Sequence, residues 1–453
     1  MFNKILVANR GEIACRAIRA AKELGVKTVA VYARADKDSR HVQIADEAIC
    51  IGEATNTDSY LNLANVLMAC EITGADAVHP GFGYFSERAT FAEALESMGI
   101  AFIGPPVTAI QAMGDKAKAK AAAIESDCPV VPGSPDAVED ENDAAKWADK
   151  IGYPVLLKAV AGGGGRGIRR VDNQEELFKA FPTAQAEAQA SFGNGDMLVE
   201  KCVVNPRHVE IQILADQHGK VLHIGERECS IQNLRHQKIV EEAPCEVLTP
   251  ELREQMGSAA VRVASHVGYT NAGTVEFLLD ESGKFYFLEM NTRIQVEHPV
   301  TEQVSGLDLV KWQIRIANGE KIPFDQSDVQ LRGHSIEARI TAQDPDNDFA
   351  PSTGLITRWE PPGFRGVRMD THVYAGFTVS PFYDPMIAKL IVTGEDRADA
   401  VNKLTIALDE FNVEGIKTNI PFLRRLVRHE KYISGDVSTA FVPAFLDEVT
   451  LSV

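Results

Sequence analysis

From Glu289 to Glu297 every second residue can carry chemistry: Glu289, Asn291, Arg293, Gln295 and Glu297 follow directly on the apolar run Phe285 to Leu288. Side chains alternate across a strand, so if the extended backbone continues past Glu289 all five share one wall. Two carboxylates, two amides and a guanidinium on one wall would hold a charged ligand. Upstream, Gly273 to Leu279 predicts a second apolar strand with one acid, Glu276, and Asp280 to Gly283 predicts the hairpin turn between the two strands. That pairing brings Glu276 near Glu289. Close carboxylates repel unless a cation lies between them, and an all-oxygen set suits Mg²⁺ with phosphate oxygens completing its shell. A solvated edge strand is the plainer alternative, but acids rarely interrupt strands this apolar unless they are paired or ligated.

A nucleoside triphosphate also needs cations for its phosphates and a slot for its base. Lys116 and Lys158 are the candidate phosphate cations; neither lies in a Gly-x-x-x-x-Gly-Lys-Ser/Thr loop, so the chain is not a P-loop protein. Lys158 ends the predicted strand Pro154 to Ala159, which runs into a glycine run with Gly162, Gly163, Gly164, Gly165 and Gly167 and returns through Ile168 to Val171. Glycine N–H groups can converge on phosphate oxygens without Cβ obstruction, and the flanking strands favour a phosphate lid over a plain linker. The strand Met197 to Val203 offers backbone groups and the Glu200/Lys201 pair to an adenine edge.

The elements that must position these groups alternate strongly at the N-terminus. Strand 4–8, a helix with apolar positions from Ile13 to Leu24, and strand 28–32 make a βαβ unit. A helix near 60–70, strand 77–79, a helix near 90–98 and strand 101–103 continue it, which implies an open parallel sheet. Its first turn has one glycine and lacks the dinucleotide fingerprint, while the loop from Val78 through His79-Pro-Gly81 to Glu87 leaves a strand's carboxyl end, where such sheets place ligands. After about residue 330 come short β runs at 334–340, 355–359, 366–369 and 387–392, then an amphipathic helix near 398–411.

Composition bounds the rest. A chain of 453 residues with 45% hydrophobic and 24% charged content predicts about three soluble globular domains and no membrane span. The start of the chain shows no signal-peptide pattern, so a cytoplasmic protein is expected. Seven scattered cysteines without Cys-x-x-Cys spacing point to reduced thiols rather than a disulfide framework or a zinc site. Cys229, near the candidate site, has no activating base placed by sequence and is expected to be a packed bystander. A net charge of −18 argues against nucleic-acid or anionic-membrane partners.

Asn9 to Ile13, His79 to Gly81, Met113 to Lys116, Gly162 to Gly167, Arg207 to Gln212, Arg235 to Lys238, Glu241 to Pro244, Glu289 to Pro299 and Gly415 to Asn419 together resemble biotin carboxylase, an ATP-grasp family, over essentially the full length. The resemblance implies an α/β and α+β fold of three parts. These are an N-terminal Rossmann-like domain at 1–114, an ATP-grasp domain at 115–330 with a lid at about 131–203, and a mainly β C-terminal domain at 331–447. It implies that Lys116, Lys158 and the lid glycines hold phosphates, that Glu200, Lys201, Val203 and Leu278 meet adenine, and that His208, Gln232 and His236 sit by the nucleotide. Glu276 and Glu289 match the metal ligands for Mg²⁺ or Mn²⁺, with Asn291 beside them. Arg293, Gln295 and Val296 would fix bicarbonate, Glu297 would act as general base to give carboxyphosphate, and Arg339, with Lys238 in the same pocket, would stabilise the biotin oxyanion. Two departures are Val160-Ala161, where many relatives have Ser-Gly, and one extra residue within Ser230 to Arg235.

The expected activity is ATP-dependent carboxylation of biotin on a biotin carboxyl carrier protein. A carboxyltransferase is the further expected partner, and a homodimer is the expected state. No Ala-Met-Lys-Met segment or carboxyltransferase region occurs before Val453, so biotin is expected on another polypeptide. Acetyl-CoA carboxylase is the expected parent complex, with pyruvate, propionyl-CoA and 2-oxo acid carboxylases using the same half-reaction. An ATP-grasp ligase for another carboxylate, and a nucleotide-binding regulator without turnover, are the alternatives of other kinds.

Overall fold

The computed structural model describes residues 1–160, 167–234 and 237–451. The chain forms two compact units, one of residues 1–128, 207–277 and 289–453, the other of residues 129–206 and 278–288. Gly162, Gly163, Gly164, Gly165 and His236, expected at the nucleotide, lie outside the described residues.

The first unit begins with β1 (Lys4–Val7), β2 (Lys27–Ala33), β3 (Glu47–Gly52), β4 (Ala77–His79) and β5 (Ala101–Phe102), paired parallel in the order β3-β2-β1-β4-β5. The strand β3 was not foreseen; its outward residues Glu47, Ala48 and Cys50 blur the apolar signal of an edge strand. The ligand loop expected after β4 is locked from below. The Asn9 amide donates to the carbonyls of Pro80 and Phe82 at 2.7 and 2.8 Å, and Gly81 sits at φ +64°, where a Cβ would lie 2.8 Å from that amide nitrogen.

In the second unit β6 (Val155–Ala159) lies between β7 (Ile168–Val171) and β8 (Met197–Lys201), antiparallel to both. A helix, Gln174–Phe192, that the sequence reading passed over covers this sheet with Leu177, Phe181, Ala184 and Ala188.

The remaining strands are β9 (Arg207–Ala215), β10 (Val221–Gln232), β11 (Lys238–Ala243), β12 (Asn271–Leu279), β13 (Phe285–Asn291), β14 (His334–Thr341), β15 (Val367–Thr371) and β16 (Met386–Gly394). They form one sheet in the order β13-β12-β9-β10-β11-β14-β16-β15. The turn at Asp280–Lys284 closes the expected hairpin, with Asp280 N–H donating to Lys284 O at 2.9 Å. The strand carrying Arg339 is thus continuous, by way of β11, β10 and β9, with the strand carrying Glu276. The far end of this sheet packs on the helix Arg397–Glu410 through Leu404, Ala407 and Leu408.

The end of β14 is pinned by Asn419, which accepts from Thr341 N–H and donates to Arg339 O, each at 2.8 Å. Gly415 makes the turn before it at φ +95°, where a Cβ would fall 2.1 Å from the Leu355 carbonyl oxygen. Gly415→Ala is therefore expected to destabilise the fold by about 1–3 kcal/mol, seen in scanning calorimetry as a lower unfolding midpoint.

Candidate active site

Arg227, on β10, is fully buried, and each of its five N–H groups has a partner. Nε donates to Glu210, Nη1 to Gln212 Oε1 at 2.6 Å and Thr301 Oγ1 at 3.0 Å, and Nη2 to Thr274 Oγ1 at 3.1 Å and Gln295 Oε1 at 2.7 Å. Pairing of β9 with β10 sets Glu210 opposite Arg227, so this contact follows from register. With its oxygen taken by Arg227, the Gln295 amide must present its NH₂ outward, and it donates to Glu276 Oε1 at 2.7 Å.

Lys238 opens β11 and its ammonium donates three hydrogen bonds, to Glu210 Oε2 at 2.6 Å, Glu276 Oε1 at 3.0 Å and Glu297 Oε1 at 2.6 Å. Glu276 also accepts from the Asn291 amide at 3.0 Å, and its other oxygen lies 3.0 Å from His208 Nε2. Glu297 Oε2 accepts from Arg339 Nη2 at 3.0 Å, while Arg339 Nε donates to Glu241 at 2.6 Å. Burial alone would raise the Glu297 carboxyl, yet Lys238, Arg339 and Arg227 hold it well below its ordinary range. It is ionised at neutral pH. Glu241, also buried, is pushed up to about 7, with Arg339 opposing the shift and Glu297 adding to it.

The strand carrying the expected polar wall stops at Asn291, and residues 292–297 turn instead of extending. The single wall from Glu289 to Glu297 is corrected accordingly. Ile294, fully buried against Leu309 and Trp312, draws the backbone out of the strand, and the helix His298–Ser305 follows at once with Pro299 in its first turn. Arg293 folds back to Asn291 Oδ1 at 2.7 Å and to Glu87 at 3.0 Å, whereas Gln295 and Glu297 reach Glu276 and Lys238 through the bend.

Glu289 is raised by burial and then by the like charge of Glu276, with Lys116 and His208 opposing. Two acids in mutual repulsion, Glu276 buried and Glu289 exposed at its edge, with Asn291 bonded to Glu276, are a donor set that fits a divalent cation of the Mg²⁺ type. Glu276, His208 and Glu210 also bring ligand atoms within 4.8 Å of one another. The Lys238 ammonium bonds both of those carboxylates, so the cation among them is already organic. Gln232 donates to Cys229 O at 2.8 Å and lies 3.2 Å from His208 Nδ1. Cys229 is buried, burial pushes its thiol up, and its Sγ donates to Glu297 Oε1 at 3.9 Å.

In the second unit Lys158 and Glu200 form an ion pair across β6 and β8. Lys201 turns to the other face and donates to the carbonyls of Gly152 and Tyr153, each at 2.9 Å. Strand alternation thus sends the Glu200 and Lys201 side chains to opposite faces. Val203 and Leu278 are partly exposed, and Gly167 adopts φ +75°. Lys116 opens the helix Lys116–Glu125, which Asp115 caps.

A cavity of about 490 Å³ is lined by Glu12, Phe82, Tyr84, Lys238, Arg293, Val296, Arg339 and His372, among others. Sequence reasoning assigned no role to Arg227, Glu210 or Glu241. The usable signal was charge inside strands that are otherwise apolar, as in Val209-Glu210-Ile211-Gln212-Ile213.

Family models match residues 1–110 (biotin carboxylase, N-terminal domain), 115–324 (carbamoyl-phosphate synthase L chain, ATP binding domain) and 337–444 (biotin carboxylase C-terminal domain). The chain is 53% identical over 441 residues to a biotin carboxylase of Nostoc sp., covering 97% of this chain and 98% of that protein. It is 51% identical to a pyruvate carboxylase component of Methanothermobacter thermautotrophicus, covering 98% and 90%. Among solved structures it is similar to the biotin carboxylase domain dimer of Hydrogenobacter thermophilus 2-oxoglutarate carboxylase in complex with MgADP, ADP and bicarbonate, with TM-score 0.88, 49% identity and 98% coverage of both chains.

Removing the Lys238 ammonium would leave three carboxylates facing one another. Lys238→Met is expected to cost about 3–5 kcal/mol at pH 7. In the parent chain Glu297 lies below its unfolded value, so its contribution is present above about pH 4.3 and is lost as pH falls through the folded value. In the variant the crowded acids take up protons instead, so the deficit shrinks between pH 7 and pH 5, measured by urea unfolding.

Proposed function

Because this chain belongs to the biotin carboxylase family, we propose that it is an ATP-dependent ligase that carboxylates biotin on a biotin carboxyl carrier protein with bicarbonate. The observation that carries the reading is Glu297, buried and ionised between Lys238 and Arg339 in a cluster that shares a cavity with Arg293 and Val296. Bicarbonate is a poor nucleophile. Held by Arg293 and by the outward NH₂ of Gln295, it would lose its proton to Glu297 as its oxygen bonds to the γ-phosphorus of ATP and ADP departs with the electron pair of the broken P–O bond. Mg²⁺ on Glu276 and Glu289, with Asn291 beside them, or Mn²⁺ in its place, supplies neutralisation of the phosphate oxygens.

The resulting carboxyphosphate would decay to CO₂ and phosphate, and the phosphate would take the ureido proton of biotin. Arg339 is the fixed cation for the oxyanion that forms, its guanidinium held in place by Glu241. Lys116, Lys158 and the glycines from Gly162 to Gly167 are the phosphate-binding groups in this reading. Glu200, Lys201, Val203 and Leu278 are the adenine contacts, and His208, Gln232 and His236 lie by the nucleotide.

The proposed setting is a cytoplasmic acetyl-CoA carboxylase of fatty acid synthesis, in which a homodimer of this chain works with a carrier protein and a carboxyltransferase. Supplying the carboxylated carrier to acetyl-CoA, propionyl-CoA, pyruvate and 2-oxoglutarate carboxyltransferases decides between that assembly and its relatives.

The purified chain is expected to release ADP from MgATP in a bicarbonate-dependent reaction that free biotin stimulates; nucleotide binding without such turnover would leave a regulator. Glu297→Ala is expected to lower turnover by at least about 10²-fold with MgATP affinity retained. Arg339→Ala should spare bicarbonate-dependent ATP hydrolysis more than biotin carboxylation, and equal losses in both assays would count against its assigned role.

A further inference from the structure

The peptide that carries Glu297 is held by a second cation. The carbonyl of Val296 accepts a hydrogen bond from Lys389 Nζ at 2.8 Å. Lys389 is 0% exposed and lies on β16 directly opposite Arg339 of β14 and Asp370 of β15. Directly opposed residues of paired antiparallel strands project to one face. Arg339 and Lys389 therefore approach the segment from the same side, Arg339 taking the Glu297 carboxylate and Lys389 the carbonyl just before it.

Full burial of an ammonium is strongly unfavourable unless its charge is balanced. Among the described residues the balancing group is Glu12, whose Oε2 lies 3.1 Å away in the first turn of the helix Gly11–Glu23. Neither oxygen of Glu12 makes a hydrogen bond among the described residues, so the contact is an ion pair; burial raises the Glu12 carboxyl and Lys389, 3.1 Å away, opposes that shift. Two other acids face the ammonium. Asp370 is engaged by Arg368 at 2.7 and 3.0 Å, and Glu337, raised by burial well above its ordinary value, forms no ion pair with Lys389 among the described residues, as Glu12 does. Glu12 belongs to the Asn9–Ile13 motif, whose Asn9 locks the loop after β4 and whose Arg10 pairs with Asp36.

We propose that Lys389, charge-balanced by Glu12, is a positioning residue that fixes the peptide between Val296 and Glu297 and so aims the carboxylate of Glu297 at its substrate. This inference rests on Glu297 being the base.

The test compares the full chain with Lys389→Met, Lys389→Arg, Glu12→Gln and the Lys389→Met/Glu12→Gln double variant. The readouts are kcat and the bicarbonate KM of ADP release, together with the MgATP dissociation constant by equilibrium binding. Lys389→Met is expected to lower kcat about 10- to 100-fold while MgATP affinity stays within about two-fold. Lys389→Arg keeps a charged donor and should recover part of the loss. The double variant should be no worse than Lys389→Met alone, because Glu12 acts through the lysine. A folded Lys389→Met chain with kcat within about two-fold of the parent, or with kcat and MgATP affinity lost together, overturns the proposal. Should Lys389→Met fail to fold, Glu12→Gln decides, since it keeps size and removes the balancing charge; unchanged kcat there overturns it. An inactive parent chain overturns the base assignment and this inference together, whereas an active parent with unaffected variants overturns this inference alone.

Discussion

A guanidinium buried without exposure must have every N–H bonded and its charge balanced, and Arg227 meets that demand by drawing five side chains from four segments towards one point. Glu210 and Gln212 come from β9, Thr274 from β12, Gln295 from the bend after β13 and Thr301 from the following helix. The candidate site is built outward from this point. Glu210 passes its second oxygen to Lys238, and Gln295, with its own oxygen taken, presents its amide hydrogens to whatever anion lies in front of it.

Charge alternates outward through the cluster. Arg227 and Lys238 share Glu210, Lys238 shares Glu276 and Glu297 with its neighbours, and Arg339 shares Glu297 and Glu241. Glu210 and Glu297 each have two cations, whereas Glu241 has Arg339 alone. An arriving anion can therefore compete for Lys238 or Arg339 while Glu297 keeps a partner and stays ionised. Glu289 stands apart: it meets Glu276 as a like charge, and its raised carboxyl marks the position where a divalent cation would complete the balance.

The segment Val296–Glu297 is fastened at two points, by the Glu297 side chain to Arg339 and by the Val296 carbonyl to Lys389. Both cations stand at one register position of the sheet, so small shifts of β14 against β16 would be felt at the base. A single sheet joins Glu276 on β12 to Lys389 on β16, which makes the geometry of the site a property of strand register rather than of loops.

By itself the sequence determined the elements with strong local signals. The N-terminal βαβ alternation, the β12–β13 hairpin and the β6–β7 return were legible because apolar period and turn chemistry act over a few residues. Glu276, Glu289, Lys238, Glu297 and Arg339 were also legible, through the apolar setting of the acids and through resemblance. Their arrangement was not. Continued strand alternation would have put Gln295 and Glu297 on the wall with Glu289, but burial of Ile294 bends the chain first, and the same side chains arrive by another route. Alternation holds on the strand Met197–Lys201, where Glu200 turns to Lys158 and Lys201 to the Gly152 and Tyr153 carbonyls. Arg227, Glu210, Glu241 and Lys389 drew no functional reading, since a charged residue within a strand looks alike whether it faces water or a buried partner. Only the tertiary fold decides which, because the partners of a buried charge come from strands far away in the chain, and a contact over such separations leaves no local periodicity to read.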